Sequence, residues 1–240
     1  MDKNVHMHIN EKETIMEKQY ESKLWTAPRV VLLGAVASVQ FIAAYVIGTG
    51  RYLTNDASSF FAPIALTAAA PVVIFLAIYA GSASFRNFIL AQDFRFLTAI
   101  HLWRVVGFSF LAFYAFDMLP AVFALSAGIG DVAVGLAAIF VLARLDRDPD
   151  YAATSGFLRF HALGLFDFVA AISTAGLTAG VFPALIPNGV TSALMDVWPL
   201  NIFPSFIVPA FIILQLTALF KIHHLRRTVV APAGAIPDGL

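Results

Sequence analysis

Three charged side chains set the problem. Arg104, Asp131 and Asp167 each stand inside a long apolar run, where a hydrocarbon solvent tolerates an unpaired charge poorly. An isolated Arg at the centre of a lipid-facing helix costs about 2.5–3.5 kcal/mol on the insertion scale, so pairing is the inexpensive solution. Arg stays protonated and offers five donors, while carboxylates accept. One guanidinium with two ionised carboxylates leaves one negative charge over, which a proton or a bound cation would complete. That chemistry admits an ionic clamp between helices, a proton- or cation-coupled transport site, or a site for a small ligand. His101, three residues before Arg104, shares its helical face and belongs to the same candidate network.

The neighbours of both acids are small. At helical spacing, Asp131 has Ala124, Ala127, Gly128, Gly135 and Ala138 on its face, with Val134 the one larger residue. Asp167 has Gly164, Ala170, Ala171 and Thr174. Stripes of small residues let another helix backbone come close. Both acids are therefore predicted to face protein rather than lipid, and Gly107, one turn beyond Arg104, leaves room for a partner.

Two alternative site chemistries are legible. Gly128-Ile129-Gly130-Asp131 spells G-x-G-D, and Pro183-Ala184-Leu185 spells P-A-L. Both strings resemble intramembrane aspartyl proteases of the presenilin and prepilin-peptidase type. The resemblance implies a catalytic Asp131, with Asp167 as the partner acid sharing a proton around one water. In that family the second Asp precedes the string; here Asp167 follows it, and Asp117 precedes it at a segment edge. Separately, His101 and His161 fall at similar depth on two apolar segments, where paired imidazoles can ligate a b-type haem. Apart from that haem alternative, no cofactor and no metal site is predicted. A buried His otherwise bonds a carbonyl or reaches for the interface.

Positioning these groups requires helices. Of 240 residues, 60% are hydrophobic and only 12% charged, about half the charged share of a soluble domain. Six apolar segments, at about 29–48, 60–81, 97–116, 120–143, 157–179 and 200–222, each approach the roughly 20 residues that cross a bilayer core. The fold class expected is an all-α integral membrane bundle of six helices with short links, and the lipid bilayer is its first partner. Pro120 suits the first turn of its helix and Asp117 could cap it. Pro71, Pro204 and Pro209 interrupt their segments, and each removes a backbone bond that something nearby must satisfy.

Lys and Arg alternate from loop to loop. Lys3, Lys12, Lys18, Lys23 and Arg29 precede the first segment, Arg86 and Arg95 follow the second, Arg144 and Arg147 the fourth, and Lys221, Arg226 and Arg227 the sixth. The intervening loops hold only Arg51. The positive-inside rule then puts both termini in the cytoplasm of a bacterial-type inner membrane. Residues 1–28 form a polar cytoplasmic tail in which Ile15, Met16, Tyr20 and Leu24 suggest an amphipathic turn and His6 and His8 lie close together. Residues 223–240, rich in Pro and Gly, read as a disordered tail.

Several function classes drop out. Cys is absent, which removes disulfides, thiolate metal sites and cysteine nucleophiles. Formal net charge is zero, so nothing steers the chain to nucleic acid. The ligand is left open among a proton, a cation and a small molecule, and self-association is left open as well.

Overall fold

The structure, a computed structural model, describes residues 26–52, 63–180 and 182–230. The expected amphipathic turn near Tyr20, the pair His6 and His8, and the last ten residues of the tail lie outside them. Two units are distinct, Met1–Ala43 and Ala44–Leu240. The first contributes the start of α1 (Ala27–Thr49). The second contains the rest of the described helices.

Among the described residues the chain is helical, with no strand. After α1 come α2 (Pro63–Gly81), α3 (Ala83–Leu90), α4 (Phe94–Ala115), α5 (Ala121–Arg147), α6 (Ser155–Leu177) and α7 (Val208–Val230). Five helices are long and apolar enough to cross a membrane, or six if the pair Leu66–Gly81 and Ala83–Leu90, bent by 109°, is one span. The bend falls at Ser82, whose hydroxyl accepts from the Phe85 amide and restarts the helix. Arg86 reaches back to the carbonyls of Tyr79 and Ala80, satisfying the end of α2.

Helix limits follow local chemistry. The Asp93 carboxylate accepts from the Phe96 amide at 2.8 Å and opens α4. Thr154 does the same for α6 through Phe157. Asp148 leaves helical geometry at the end of α5 because Pro149 follows it. Asp117 does not cap α5: it takes a left-handed φ of 55° in the preceding turn, and Pro120 holds the N-cap position without a side-chain bond. The last helix runs to Val230 rather than stopping at 222, since nothing between Lys221 and Val230 breaks a helix before Pro232.

Two departures from regular α-helix shape the interior. Within α4, Ile100–Gly107 winds as a 3-10 helix. With three residues per turn, positions three apart lie in one straight row. His101, Arg104 and Gly107 form that row, and all three are buried. Before α7, Phe203–Ile207 forms a π-turn. Pro204 and Pro209 lack the amide hydrogens that would close regular turns there, and the wider turn is one way the chain resolves the deficit.

Two apolar clusters enclose the polar layer. Ala124, Ala127, Phe110, Phe123, Leu119 and Met195 form one. Val134, Ala138, Val141, Leu145, Phe157, Phe160 and Ile222 contribute to the other. Asp131 lies between them along α5. The outer faces are inverted relative to a soluble protein: Phe140 is 71% exposed, Phe166 66% and Trp103 65%. Large apolar side chains cover the outer faces, while small residues of α5 such as Ala124, Ala127 and Ala138 are buried beside the core aromatics.

Candidate functional site

Arg104 is the hub. It is 3% exposed. Its Nε donates to Asp131 Oδ1 at 2.7 Å, its Nη1 to the Gly164 carbonyl at 3.0 Å, and its Nη2 to Asp167 Oδ2. The face of the guanidinium lies 4.0 Å from the Phe168 ring centroid. Two helices thus contribute ligands to one cation carried by α4: α5 through Asp131, and α6 through Asp167 and Gly164. The planar fork suits this, because three donors leave it in different directions.

Glycines make the approach possible. A Cβ at Gly107 would collide with Asp131, and one at Gly130 with Asp167. A Cβ at Gly164 would collide with the Gln215 amide and come within 3.2 Å of Arg104 Nη1. The glycines of the G-x-G-D string therefore have a packing account: Gly128 admits Leu111 and the Gly107 carbonyl, and Gly130 admits the carboxylate of Asp167.

This geometry differs from a protease dyad. Two catalytic acids share a proton directly. Here each carboxylate accepts from a different nitrogen of one guanidinium. Pro183-Ala184-Leu185 forms a short 3-10 turn in the connection after α6. Asp117 occupies the turn before α5 and is exposed.

His101 does not join the Arg104 network. Neither of its nitrogens has a hydrogen-bond partner among the described residues. Its ring packs 5.4 Å from Phe211, 5.8 Å from His161 and 6.1 Å from Phe160. His161 is committed elsewhere: its Nδ1 lies 2.5 Å from Gln215 Oε1. An amide oxygen only accepts, so that nitrogen carries the hydrogen. Phe157 and Phe160 stand 4.7 and 4.9 Å from the His161 ring. These aromatics pack against both imidazoles. No group of three or more His, Asp or Glu among the described residues is placed to hold a metal ion.

Beside the Arg104 cluster lies a cavity of about 450 Å³. Arg104, Asp131 and Asp196 are the charged residues on its wall, and Phe110, Phe123, Phe168, Phe203 and Phe211 give it an aromatic lining. Ala127 and Ala171 contribute small surfaces, and the π-turn contributes Pro204 and Ile207. The small-residue stripe thus serves two ends: part of it admits neighbouring helices and part of it leaves space.

Asp196 was not apparent from sequence. It lies outside the apolar segments, in the 3-10 turn Ser192–Asp196, and a loop acid ordinarily reads as solvated. In the fold it is 5% exposed. Burial pushes its carboxyl up to about 6 from the ordinary 3.8. The folded state then holds a proton that the unfolded chain has released. Stability is expected to fall as pH rises from about 4 to about 6, by up to about 3 kcal/mol, and to level off above. Thermal unfolding in detergent across that window checks the sign, and Asp196→Asn should flatten this component. Gln215 was also missed, although a lone amide in an apolar segment was a signal. It is fully buried beside His161.

Residues 60–223 match the family described as Domain of unknown function (DUF8737), a span that takes in Arg104, Asp131, Asp167, Asp196 and Gln215. No curated protein and no solved structure matches the chain.

Proposed function

The chain belongs to the family described as Domain of unknown function (DUF8737), and we propose that it is a multi-pass membrane protein that binds a small organic molecule inside its helical bundle. The observation that carries this reading is the cavity of about 450 Å³ with the Arg104–Asp131 pair on its wall. Ligand sites are typically about 300–1,000 Å³, mostly apolar, with a few convergent polar groups. The ion cluster serves the cavity as well as the packing. It fixes α4 against α5 and α6, and it presents one polar wall to an otherwise apolar space. Transport of the bound molecule across the bilayer is the use this arrangement suits best, since intramembrane ionisable groups commonly mark substrate pathways.

The absence of native cysteine makes the test clean. Ala127 lines the cavity, whereas Ala138 lies on the same small-residue stripe, fully buried and away from it. Ala127→Cys is expected to react with methyl methanethiosulfonate in the folded protein, and Ala138→Cys is expected to resist it. Equal resistance at both positions would contradict an accessible cavity.

Orientation is part of the proposal. Arg86, Arg95, Arg144, Arg147 and Arg226 fall on connections of one parity, which supports both termini being cytoplasmic in an inner-membrane setting. Reporter fusions after Asp56, Asp117 and Val190 should report the outside, and a fusion after Asp148 the inside. Any reversal overturns the topology.

A further inference from the structure

What the cavity accepts can be argued from its charges, an inference that rests on reading it as a ligand site. Arg104 is already engaged by two carboxylates and a carbonyl, and its face is covered by Phe168. An incoming anion would meet a shared guanidinium and two acids, Asp131 and Asp196, in the lining of one cavity. The lining as a whole holds one cation and two carboxylates.

Asp196 adds an independent observation. It is 5% exposed, lines the cavity, and its carboxylate has no hydrogen-bond or ion-pair partner among the described residues. A buried carboxylate without a donor is costly, and a ligand that brings a donor and a positive charge relieves that cost. Among the small and aliphatic residues of the lining stand five phenylalanines, Phe110, Phe123, Phe168, Phe203 and Phe211. Phenylalanine faces attract cations, most strongly where water is excluded. Arg104 against Phe168 at 4.0 Å is one such contact within the protein itself.

We propose that the cavity takes a lipophilic organic ammonium, with its charged head at the Asp196 carboxylate and its apolar body among Phe110, Phe123 and Phe203. A head bearing N–H groups would hydrogen-bond Asp196, and a quaternary head would pair with it electrostatically. An acid or phosphate is disfavoured by both carboxylates on the wall.

Three probes of similar shape separate charge from size: benzyltrimethylammonium, its uncharged isostere neopentylbenzene, and the anion 4-tert-butylbenzoate. Each is titrated calorimetrically into the full-length protein in detergent, at a pH where Asp196 is ionised. The cation is expected to bind tightest. Asp196→Asn, which preserves shape, should weaken the cation about tenfold or more while leaving neopentylbenzene unchanged. Asp196→Glu should retain most of the cation's affinity. Neopentylbenzene or the benzoate binding as tightly as the cation, or unchanged cation affinity in Asp196→Asn, would overturn the ammonium assignment while leaving a ligand cavity standing. Failure of all three probes to bind would overturn both the assignment and the ligand reading. If Asp196→Asn does not fold, the ranking of the three probes on the unmodified protein decides alone.

Discussion

Arg104→Ala is expected to destabilise the folded protein by about 3–5 kcal/mol, more than the loss of either acid alone. The reason is arithmetic in charge. Arg104 satisfies Asp131, Asp167 and the Gly164 carbonyl together. Its removal leaves two carboxylates facing one another inside the bundle with no cation, between apolar clusters that offer no donors. Arg104→Lys should fall between the wild type and Arg104→Ala, because an ammonium keeps the charge but cannot direct three planar donors at separated acceptors. Unfolding in detergent, followed by circular dichroism, measures the series. A loss below about 1 kcal/mol for Arg104→Ala would put the pair in the range of solvated surface ion pairs and contradict its burial.

The second large effect runs the other way. Asp131→Asn and Asp167→Asn should each be mild, because the amide oxygen still accepts and the other acid still balances the guanidinium. The double variant should be severe, again about 3–5 kcal/mol, since the cation is then stranded in a desolvated layer. Adding Arg104→Leu to the double variant should restore part of the loss: an apolar side chain against two neutral amides is less costly than an unpaired charge. That partial rescue is the signature of an ionic origin. Additive losses through all three substitutions would point to lost packing instead.

The depth of Arg104, Asp131 and Asp167 within apolar runs was readable because lipid makes an unpaired charge so costly. The inward stripe of Ala124, Ala127, Gly128, Gly135 and Ala138 was readable for the same reason, and these residues are buried. What the helical wheel could not supply was the winding. Regular α-geometry gives His101 and Arg104 a shared face, and so suggests a shared network. The 3-10 segment Ile100–Gly107 instead lines them up in a row, with His101 directed at Phe211 and His161 and Arg104 at the two acids. A local change of pitch depends on tertiary packing and leaves little trace in residue types.

The cavity was illegible for a different reason. It exists because the π-turn at Phe203–Ile207, the aromatic side chains of α4–α6 and a loop residue, Asp196, converge from distant parts of the chain. Pro204 and Pro209 announced a disturbed helix but not the space beside it. G-x-G-D and P-A-L are a different case. The strings are real, yet the glycines answer to packing around Leu111 and Asp167, and the proline begins a turn in a connection.

Whether the Arg104–Asp131 wall belongs to a ligand cavity can be read from a crystal structure of the protein grown with 4-bromobenzyltrimethylammonium. The bromine is located by its anomalous scattering. One bromine site is expected inside the cavity, among Phe110, Phe123 and Phe203, with the ammonium at Asp196. Bromine found only on lipid-facing surfaces such as Phe140 and Phe166, with the cavity closed by its own side chains, would contradict it.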